Sequence, residues 1–193
     1  MSVPVPEPVD TPIPASTSAP APAPSYTPEP AAEPVDTPAL RALAASGLAF
    51  TVVLTVPARN PEESAALQGI ALGSLLRTIV VRRGTDDYVF VLVPAGRRFD
   101  WPKLRAHLGV SRLSLPDQDE AKAVTGYERG AITPFGASRA WPVVADATIM
   151  MLNRVAIGGG ARGVNIHVAP ADLVDCLAAK VVDVTVAEEP PPG

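Results

Sequence analysis

The sequence predicts an α+β fold: a single domain whose mixed, mainly antiparallel central sheet is flanked by helices, preceded by a disordered tail. Three observations predict it. The 193 residues are 47% hydrophobic but only 5% aromatic, which suits a compact core of aliphatic side chains. Apolar segments with period two alternate with helical segments, without the strict strand–helix–strand order of a doubly wound parallel sheet. Prolines crowd the first fifth of the chain.

The N-terminal segment, residues 1–38, holds 12 of the 23 prolines and five acidic residues, with no Lys or Arg. Such a composition predicts a disordered, polyproline-II-biased tail. The hexapeptide EPVDTP occurs at 7–12 and again at 33–38. It indicates either duplication in a low-complexity tail or a paired docking motif. The predicted organisation is therefore a tail (1–38), a folded domain (39–187) and a disordered C-terminus (188–193).

The first half of the domain begins with a helix, because apolar residues recur at helical spacing until Gly47. The strand 50–56 follows, and Asn60-Pro61-Glu62-Glu63 then starts a helix with a capping residue, an N1 proline and a capping-box acid. Two apolar strands, 75–82 and 88–93, flank a Gly-Asp turn and form the clearest hairpin.

The second half alternates helices, a loop and strands. Asp100-Trp101-Pro102 and Pro116-Asp117 each begin a helix, and each helix ends at a glycine. The remaining predicted elements are, in order, a Gly/Pro-rich loop at 126–142, a strand led in by 141–144, a strand at 154–157, a turn at 158–163, a strand at 164–168, a helix at 170–180, and a segment at 181–186 that either adds an edge strand or trails off.

Arg77 interrupts an otherwise apolar strand, beside Leu75, Ile79 and Val81 on one predicted face. A guanidinium on an apolar face is costly unless it meets an acid, carbonyl groups or a ligand. Two interpretations stay open: an internal ion pair or solvent-reaching side chain at a sheet edge, and a ligand-binding cation.

The segment Gly126–Gly136 contains three glycines and a proline, which restrict a loop to one shape and let another molecule approach its backbone. Such a loop can direct main-chain N–H groups at a carbonyl oxygen, as acyl-transfer chemistry requires. The alternative is an ordinary surface loop between a helix and a strand.

Other reactive side chains give weaker signals. The glycine-rich turn at 158–163 suggests a tight hairpin turn more than a phosphate-binding nest, because it lacks the ending of a P-loop. His167 is predicted to face solvent, and Cys176 to be a small core residue. No zinc site, disulfide, signal peptide or membrane span is predicted, and the expected location is the cytoplasm.

The charged residues beyond residue 38 are nearly balanced, 16 basic and 15 acidic. RNA is therefore an allowed partner, although no run of basic residues forms a phosphate track.

From about residue 40 to 176 the chain resembles the YbaK/ProX family, also called the prolyl-tRNA-synthetase-associated domain. Arg77-Thr78-Ile79-Val80 stands where the family has Lys-Thr-Leu and an apolar residue, and Thr125-Gly126-Tyr127 with the segment 130–136 is similar to its TGY…GGxSPxG signature. Further matches, in chain order, are Pro61–Ala66 (early helix), Asp146 (second-half aspartate), Gly160–Gly163 (G-x-R-G turn) and Pro170–Leu173 (last helix).

The resemblance implies hydrolysis of a mischarged aminoacyl-tRNA, typically tRNA(Pro) carrying alanine or cysteine, without a metal or other cofactor. It implies Arg77, in place of the family lysine, and Gly130 as catalytic residues. It also implies a set of substrate-binding residues: Thr78, Tyr127, Ala131, Ile132, Thr133, Pro134, Gly136 and Asp146. The implied partners are the acceptor end of aminoacyl-tRNA and, second, an aminoacyl-tRNA synthetase.

Two classes of function follow. The first is a trans-editing deacylase, and the second is a non-catalytic module of the same fold that binds tRNA or a synthetase. Arginine is planar, with donors fixed in a fork, so its presence at position 77 favours an altered amino-acid preference or a binding-only role over the classical cysteine or alanine reaction.

Overall fold

A computed structural model describes residues 35–188 of the chain. The disorder predicted for residues 1–34 and 189–193, and the first EPVDTP copy, lie outside the described residues. The α-helices, in chain order, are α1 (Pro38–Ser46), α2 (Pro61–Leu67), α3 (Trp101–Leu108), α4 (Gln118–Thr125) and α5 (Pro170–Cys176). The strands are β1 (Thr51–Leu54), β2 (Leu76–Gly84), β3 (Asp87–Pro94), β4 (Arg97–Phe99), β5 (Val143–Asp146), β6 (Val155–Gly158), β7 (Val164–Val168), β8 (Lys180–Val182) and β9 (Thr185–Ala187).

The strands form an antiparallel sheet ordered β1-β7-β6, a mixed sheet ordered β2-β3-β5-β8, and the antiparallel pair β4-β9. In the mixed sheet β2 and β3 are antiparallel, whereas β3/β5 and β5/β8 are parallel. A parallel bridge between Leu75 and Ala156 connects the first two sheets. The α+β class and the mainly antiparallel pairing predicted from the sequence are confirmed.

Strand β3 is buried on both faces, which explains its unbroken apolar run. Phe90 and Leu92 pack into a cluster with residues of β6, β7 and α1, while Val91 and Val93 pack with Leu104 of α3. The helices thus cover both faces of the mixed sheet.

The predicted helix starts carry side-chain caps, although the Glu63 carboxylate accepts from the Arg59 N–H and not, as the predicted capping box requires, from that of Asn60. The side chain of Asn60 accepts from the Glu63 N–H at 2.8 Å, and that of Asp100 from the Lys103 N–H at 3.1 Å. Asp117 caps α4 in the same way, and Gly126 ends that helix in the left-handed conformation. Local capping chemistry therefore sets where these helices begin and end.

The folded part begins earlier than the predicted boundary at residue 39. Thr37 is buried, caps α1 by accepting from the Leu40 N–H at 3.1 Å, and donates its hydroxyl to Gly159 O at 2.6 Å. The C-terminal boundary also moves outward, because the Glu188 N–H donates to Gly96 O at 2.9 Å. Gly159 and Gly96 are more than 90 residues from Thr37 and Glu188 in sequence, so local patterning could not indicate these two contacts.

The prediction that His167 faces solvent is wrong, because the residue is only 7% exposed. Its strand β7 lies in the middle of its sheet, and the Nε2 atom of His167 lies 2.9 Å from Oε1 of Gln68, the residue that ends α2. The Gln68 amide nitrogen donates to Ser64, which orients Oε1 as an acceptor and assigns the His167 proton to Nε2.

Burial, assisted by the charge of Arg154, lowers the pKa of His167 below its ordinary 6.5. Because the folded state binds this proton less readily than the unfolded state, the stabilising contribution is present above pH 6.5 and is lost as the pH falls through the folded-state pKa. We expect the free energy of unfolding, from urea titrations at several pH values, to fall over this range. His167→Gln should flatten the dependence. Equal curves for the wild-type protein and this variant would contradict the assignment.

The prediction that Cys176 lies in the core is also wrong, because its side chain is exposed. Helix α5 buries Pro170 and Leu173 and packs Val174 against the core. Cys176 is the last residue of the helix and lies about 110° around the axis from the middle of that face. Because Leu173 points into the core, the side chain of Cys176 lies outside the buried face of α5.

Candidate functional site

The loop after α4 is closed on itself by hydrogen bonds between its two ends. The Ser138 N–H donates to Thr125 O at 2.9 Å, and the Tyr127 hydroxyl donates to Phe135 O at 2.8 Å. Burial raises the pKa of Tyr127, so its phenol stays a neutral donor that holds the loop and is a poor candidate for a base. Inside the loop the Ala131 N–H donates to Glu128 O at 2.9 Å. The segment is therefore stiff, as its glycines and proline predict.

The start of α1 and the turn at 158–163 pack so closely against this loop that glycine is required at both contacts. A Cβ on Gly136, whose φ is +61°, would lie 2.3 Å from the carbonyl oxygen of Pro38 at the start of α1. A Cβ on Gly160, with φ of +88°, would lie 3.0 Å from the Tyr127 ring. The loop thus fits between α1 and the glycine-rich turn at 158–163, and close backbone approach explains both glycines.

The tip of the loop carries backbone donors that the fold leaves unused. Among residues 35–188, no acceptor is found for the N–H groups of Gly130, Ile132 and Thr133 at the tip, nor for those of Glu128, Arg129 and 135–137 on either side of it. Gly130 is exposed with φ of +90°, whereas Ala131 and Thr133 are buried and Pro134 is half-buried. The Thr133 hydroxyl is also buried without a partner in the described part of the chain. Unused donors beside a buried polar atom are the arrangement expected of a ligand site.

The start of β2 and the end of β6 meet this loop. Leu75 bridges Ala156, and two residues further along each strand stand Arg77 and Gly158. A Cβ on Gly158 would lie 3.4 Å from the carbonyl oxygen of Ile132, so the loop packs directly on that glycine. The start of β2, which carries Arg77, therefore runs beside the strand on which the loop packs.

The guanidinium of Arg77, however, makes its hydrogen bonds away from the loop. Its Nη2 donates to the carbonyl oxygen of Arg97 on β4 and lies 3.5 Å from the Glu188 carboxylate, while Nε is buried with no partner among the described residues. With its side chain 33% exposed, Arg77 matches the sheet-edge ion pair that the sequence left open. By alternation along β2 its side chain shares a face with Ile79 and Val81, which pack in the cluster around Leu104. The loop residues Tyr127 and Phe135 pack in the cluster on the other face, so the guanidinium points away from the glycine loop.

Thr78 faces the core beneath the loop. It alternates with Leu76 and Val80, which pack in the cluster that contains Tyr127 and Phe135. Its hydroxyl is buried and, within the described residues, has no hydrogen-bond partner. Thr78 and Thr133 therefore supply two unsatisfied hydroxyl groups, and leaving such a group unpaired costs about 1–3 kcal/mol.

Asp146 is fully buried, and its carboxylate is occupied by the protein itself. It accepts from the hydroxyl and N–H of Thr148, from the Thr185 hydroxyl at 2.8 Å and from the Val184 N–H at 3.2 Å. Burial alone would raise the pKa of Asp146, but these donors hold it below its ordinary value. Arg97 bonds the same Thr185, so Asp146 anchors β4 and β9, on which Arg77 rests. These hydrogen bonds give Asp146 a structural role, and the substrate contact that the resemblance implies stays a prediction.

Arg162 is a residue of the site that sequence reasoning did not select. Its Nη2 donates to Arg129 O at 3.3 Å, and its Nε lies 3.8 Å from the position of a Cβ on Gly130. An exposed cation therefore stands beside the unused amides. The signal was available in the family-like turn Gly160-Ala161-Arg162-Gly163, whose arginine was not singled out from the sequence.

Within residues 35–188, no three His, Cys, Asp or Glu side chains approach closely enough to hold a metal ion. None of the described helices has the length and apolar character needed to span a membrane.

Comparisons with known proteins agree with this geometry. The model of the aminoacyl-tRNA editing domain family matches residues 55–176. The chain is 24% identical over 129 residues to a candidate Cys-tRNA(Pro)/Cys-tRNA(Cys) deacylase, EbsC, of Enterococcus faecalis, covering 67% of this chain and 79% of that protein. It is 26% identical over 145 residues to the multifunctional Ser/Thr-tRNA deacylase ProXp-y of Escherichia coli, covering 73% and 87%.

A crystal structure described as a candidate trans-editing enzyme for prolyl-tRNA synthetase superposes with a TM-score of 0.71 at 25% identity, covering 81% of this chain and all of that one. The family model spans the β2 strand, the glycine loop and Asp146, over more than half of the chain. The chain belongs to the aminoacyl-tRNA editing domain family.

Proposed function

We propose that this protein is a trans-editing deacylase, which hydrolyses the ester between a mischarged amino acid and the terminal ribose of a tRNA of the tRNA(Pro) type. The observation that carries the proposal is the stiff loop tip with three backbone donors that have no acceptor within residues 35–188. Such editing compensates for synthetase pockets, which reject a slightly smaller amino acid by only about 1–3 kcal/mol.

In the proposed reaction, the ester carbonyl oxygen accepts hydrogen bonds from the N–H groups near Gly130, Ile132 and Thr133. Water adds to the carbonyl carbon, and the negative charge on the carbonyl oxygen is stabilised by these donors. The bond to the ribose oxygen then breaks, and the ribose oxygen takes up one proton of the attacking water. The amino acid leaves as a carboxylate after the second proton passes to solvent. Neither His167 nor Asp146 serves as a base, because one is bound to Gln68 and the other to its own strand anchors. The neighbouring ribose hydroxyl of the substrate can relay the proton.

The buried hydroxyls of Thr78 and Thr133 support an amino acid with a polar side chain as substrate, because such a side chain can satisfy them. The relatives named for cysteine and for serine and threonine act on side chains of this kind. Release of amino acid from tRNAs charged with alanine, cysteine, serine and threonine tests the proposal. We expect hydrolysis of at least one and none of a correctly charged prolyl-tRNA. If none of these tRNAs released its amino acid, the deacylase hypothesis would be wrong and the non-catalytic tRNA- or synthetase-binding module would remain.

We also propose that Arg77 contributes to deacylation once its contact with Glu188 opens and its side chain turns toward the loop. Arg77→Ala should lower kcat/KM for deacylation about tenfold or more, by loss of a charge-assisted contact. Arg77→Lys should retain part of the activity, because it keeps the charge. Glu188→Gln is the matched control, since it removes the contact but keeps the cation, and should not lower kcat/KM. Unchanged kinetics in Arg77→Ala would make the residue a structural tie only.

The acceptor end of aminoacyl-tRNA is the partner on which the proposal depends. Association with a synthetase and a cytoplasmic location stay predictions. Gel filtration of the full chain with prolyl-tRNA synthetase would test the first.

A further inference from the structure

A second polar site lies at the far end of the β2–β3 hairpin. An open cleft of about 410 Å³ is lined there by four arginines, Arg82, Arg83, Arg105 and Arg112, and by Ser111 and Ser114. These residues come from the end of β2, from α3 and from the segment after α3, so the fold assembles a basic surface that no run of the sequence shows. No acidic residue lines the cleft.

The four guanidinium groups are not equally neutralised. Arg82 binds Glu120 at 3.0 Å, and Arg83 binds Asp87 at 2.6 Å. Glu120 lines an adjoining cleft that shares Arg82 and Gly84 with this one. Neither Arg105 nor Arg112 has an acidic partner among the described residues. The cleft therefore carries about two uncompensated positive charges beside two hydroxyl groups.

The first pair of arginines is also held in place. The Arg82 Nε donates to the Ser114 hydroxyl at 3.0 Å, and an antiparallel bridge joins the backbones of the same two residues. Glu120 is fixed in turn by the Tyr88 hydroxyl at 2.5 Å. Guanidinium groups fixed in this way present planar, forked donors, a geometry that suits the non-bridging oxygens of phosphate groups.

We propose that this cleft binds backbone phosphates of the RNA substrate, at a distance from the ester. The inference rests on the proposed deacylase function. At about 3.3 Å per residue, the path along β2 from Thr78 to Arg83 is about 17 Å. A terminal aminoacyl-adenosine bound at the glycine loop is too short to reach the cleft, whereas an RNA stem is long enough. The cleft thus distinguishes tRNA from small aminoacyl esters.

The test is a double variant, Arg105→Gln/Arg112→Gln, in the full chain. Glutamine keeps the aliphatic stem and leaves no orphaned carboxylate, since neither arginine has an acidic partner in the described residues. Two measurements are made: kcat/KM on a mischarged tRNA and on the same amino acid esterified to adenosine, and the salt dependence of binding to uncharged tRNA. The matched control is Arg98→Gln/Lys180→Gln, which removes two exposed charges outside the cleft.

We expect the cleft variant to lower kcat/KM on tRNA by about tenfold or more and to leave the adenosine ester unaffected. For uncharged tRNA, the logarithm of the association constant falls as the logarithm of the salt concentration rises. The magnitude of this slope should decrease by about one for each arginine removed. The control should retain the wild-type values. Unchanged tRNA kinetics and an unchanged salt slope would overturn the inference. It would also be overturned if the cleft variant lost binding of inorganic phosphate but kept wild-type RNA binding, because the cleft would then be a site for free anions.

The two proposals fail separately. A wild-type protein that hydrolyses no charged tRNA, yet binds uncharged tRNA through Arg105 and Arg112, would contradict the deacylase and support the cleft. Hydrolysis of mischarged tRNA that is independent of both arginines would support the deacylase and contradict the cleft.

Discussion

Replacing Gly130 by alanine is expected to lower kcat/KM for deacylation by about 100-fold, the cost of losing one preorganised oxyanion donor. A Cβ at this position meets only Arg162 Nε at 3.8 Å, so space is not the obstacle. The φ of +90° is the obstacle, because residues with a Cβ avoid it and the loop tip must rotate its N–H groups to accommodate one.

Gly109→Ala is the matched control for this experiment. Gly109 has φ of +67°, and a Cβ there has nothing within 4 Å, so the conformational cost of about 1 kcal/mol is similar while the position ends α3, away from the loop. Thermal unfolding should show comparable decreases in Tm for both variants. Only Gly130→Ala should lose activity. Equal activity losses would assign the effect to stability and not to the donors.

Replacing Asp146 by asparagine is expected to destabilise the fold by about 2–4 kcal/mol. Asparagine offers one acceptor oxygen in place of two and directs an N–H₂ group at the Val184 N–H or the Thr185 hydroxyl. Because burial opposes the charge but the hydrogen bonds lower the pKa of Asp146 below 3.8, its contribution is present above that pH and is lost as the pH falls through the folded-state pKa. The asparagine variant should lack this acid-side loss in urea titrations.

Asp183→Asn is the comparison for Asp146→Asn. The Asp183 side chain is 63% exposed and binds Lys103 at 2.7 Å, so its loss should cost under about 1 kcal/mol. Because Asp146 acts through β4 and β9, its variant should keep kcat per folded molecule at a temperature where it remains folded. A selective fall in kcat without loss of stability would support the substrate-binding role that the resemblance implies.

The sequence predicts those features of the fold that are encoded locally. Asn60, Asp100 and Asp117 cap helices because a short polar side chain one turn before an apolar run can satisfy free N–H groups, whatever lies elsewhere. The glycine loop is predicted for the same kind of reason, since its spacing restricts its own backbone.

Features made by distant segments are not predicted. His167 is covered by Gln68, 99 residues away, and Thr37 bonds Gly159, 122 residues away. The arginine cleft likewise joins β2 to the segment after α3. Alternation along a strand indicates which residues share a face but not whether another element covers that face.

The same limit applies to Arg77. Its strand and neighbours are evident from the sequence, and the bridge between Leu75 and Ala156 places its backbone beside the strand on which the loop packs. Its contacts with Arg97 O and Glu188 depend on β4 and the end of β9, which periodicity does not place beside it.

The most direct measurement titrates the isotope-labelled protein with a non-hydrolysable, amide-linked aminoacyl-adenosine and follows backbone amide NMR signals. If the loop holds the acyl carbonyl, the N–H resonances of Gly130, Ile132 and Thr133 shift downfield together with saturable binding. Binding that leaves those three resonances unchanged and shifts amides elsewhere would contradict the account.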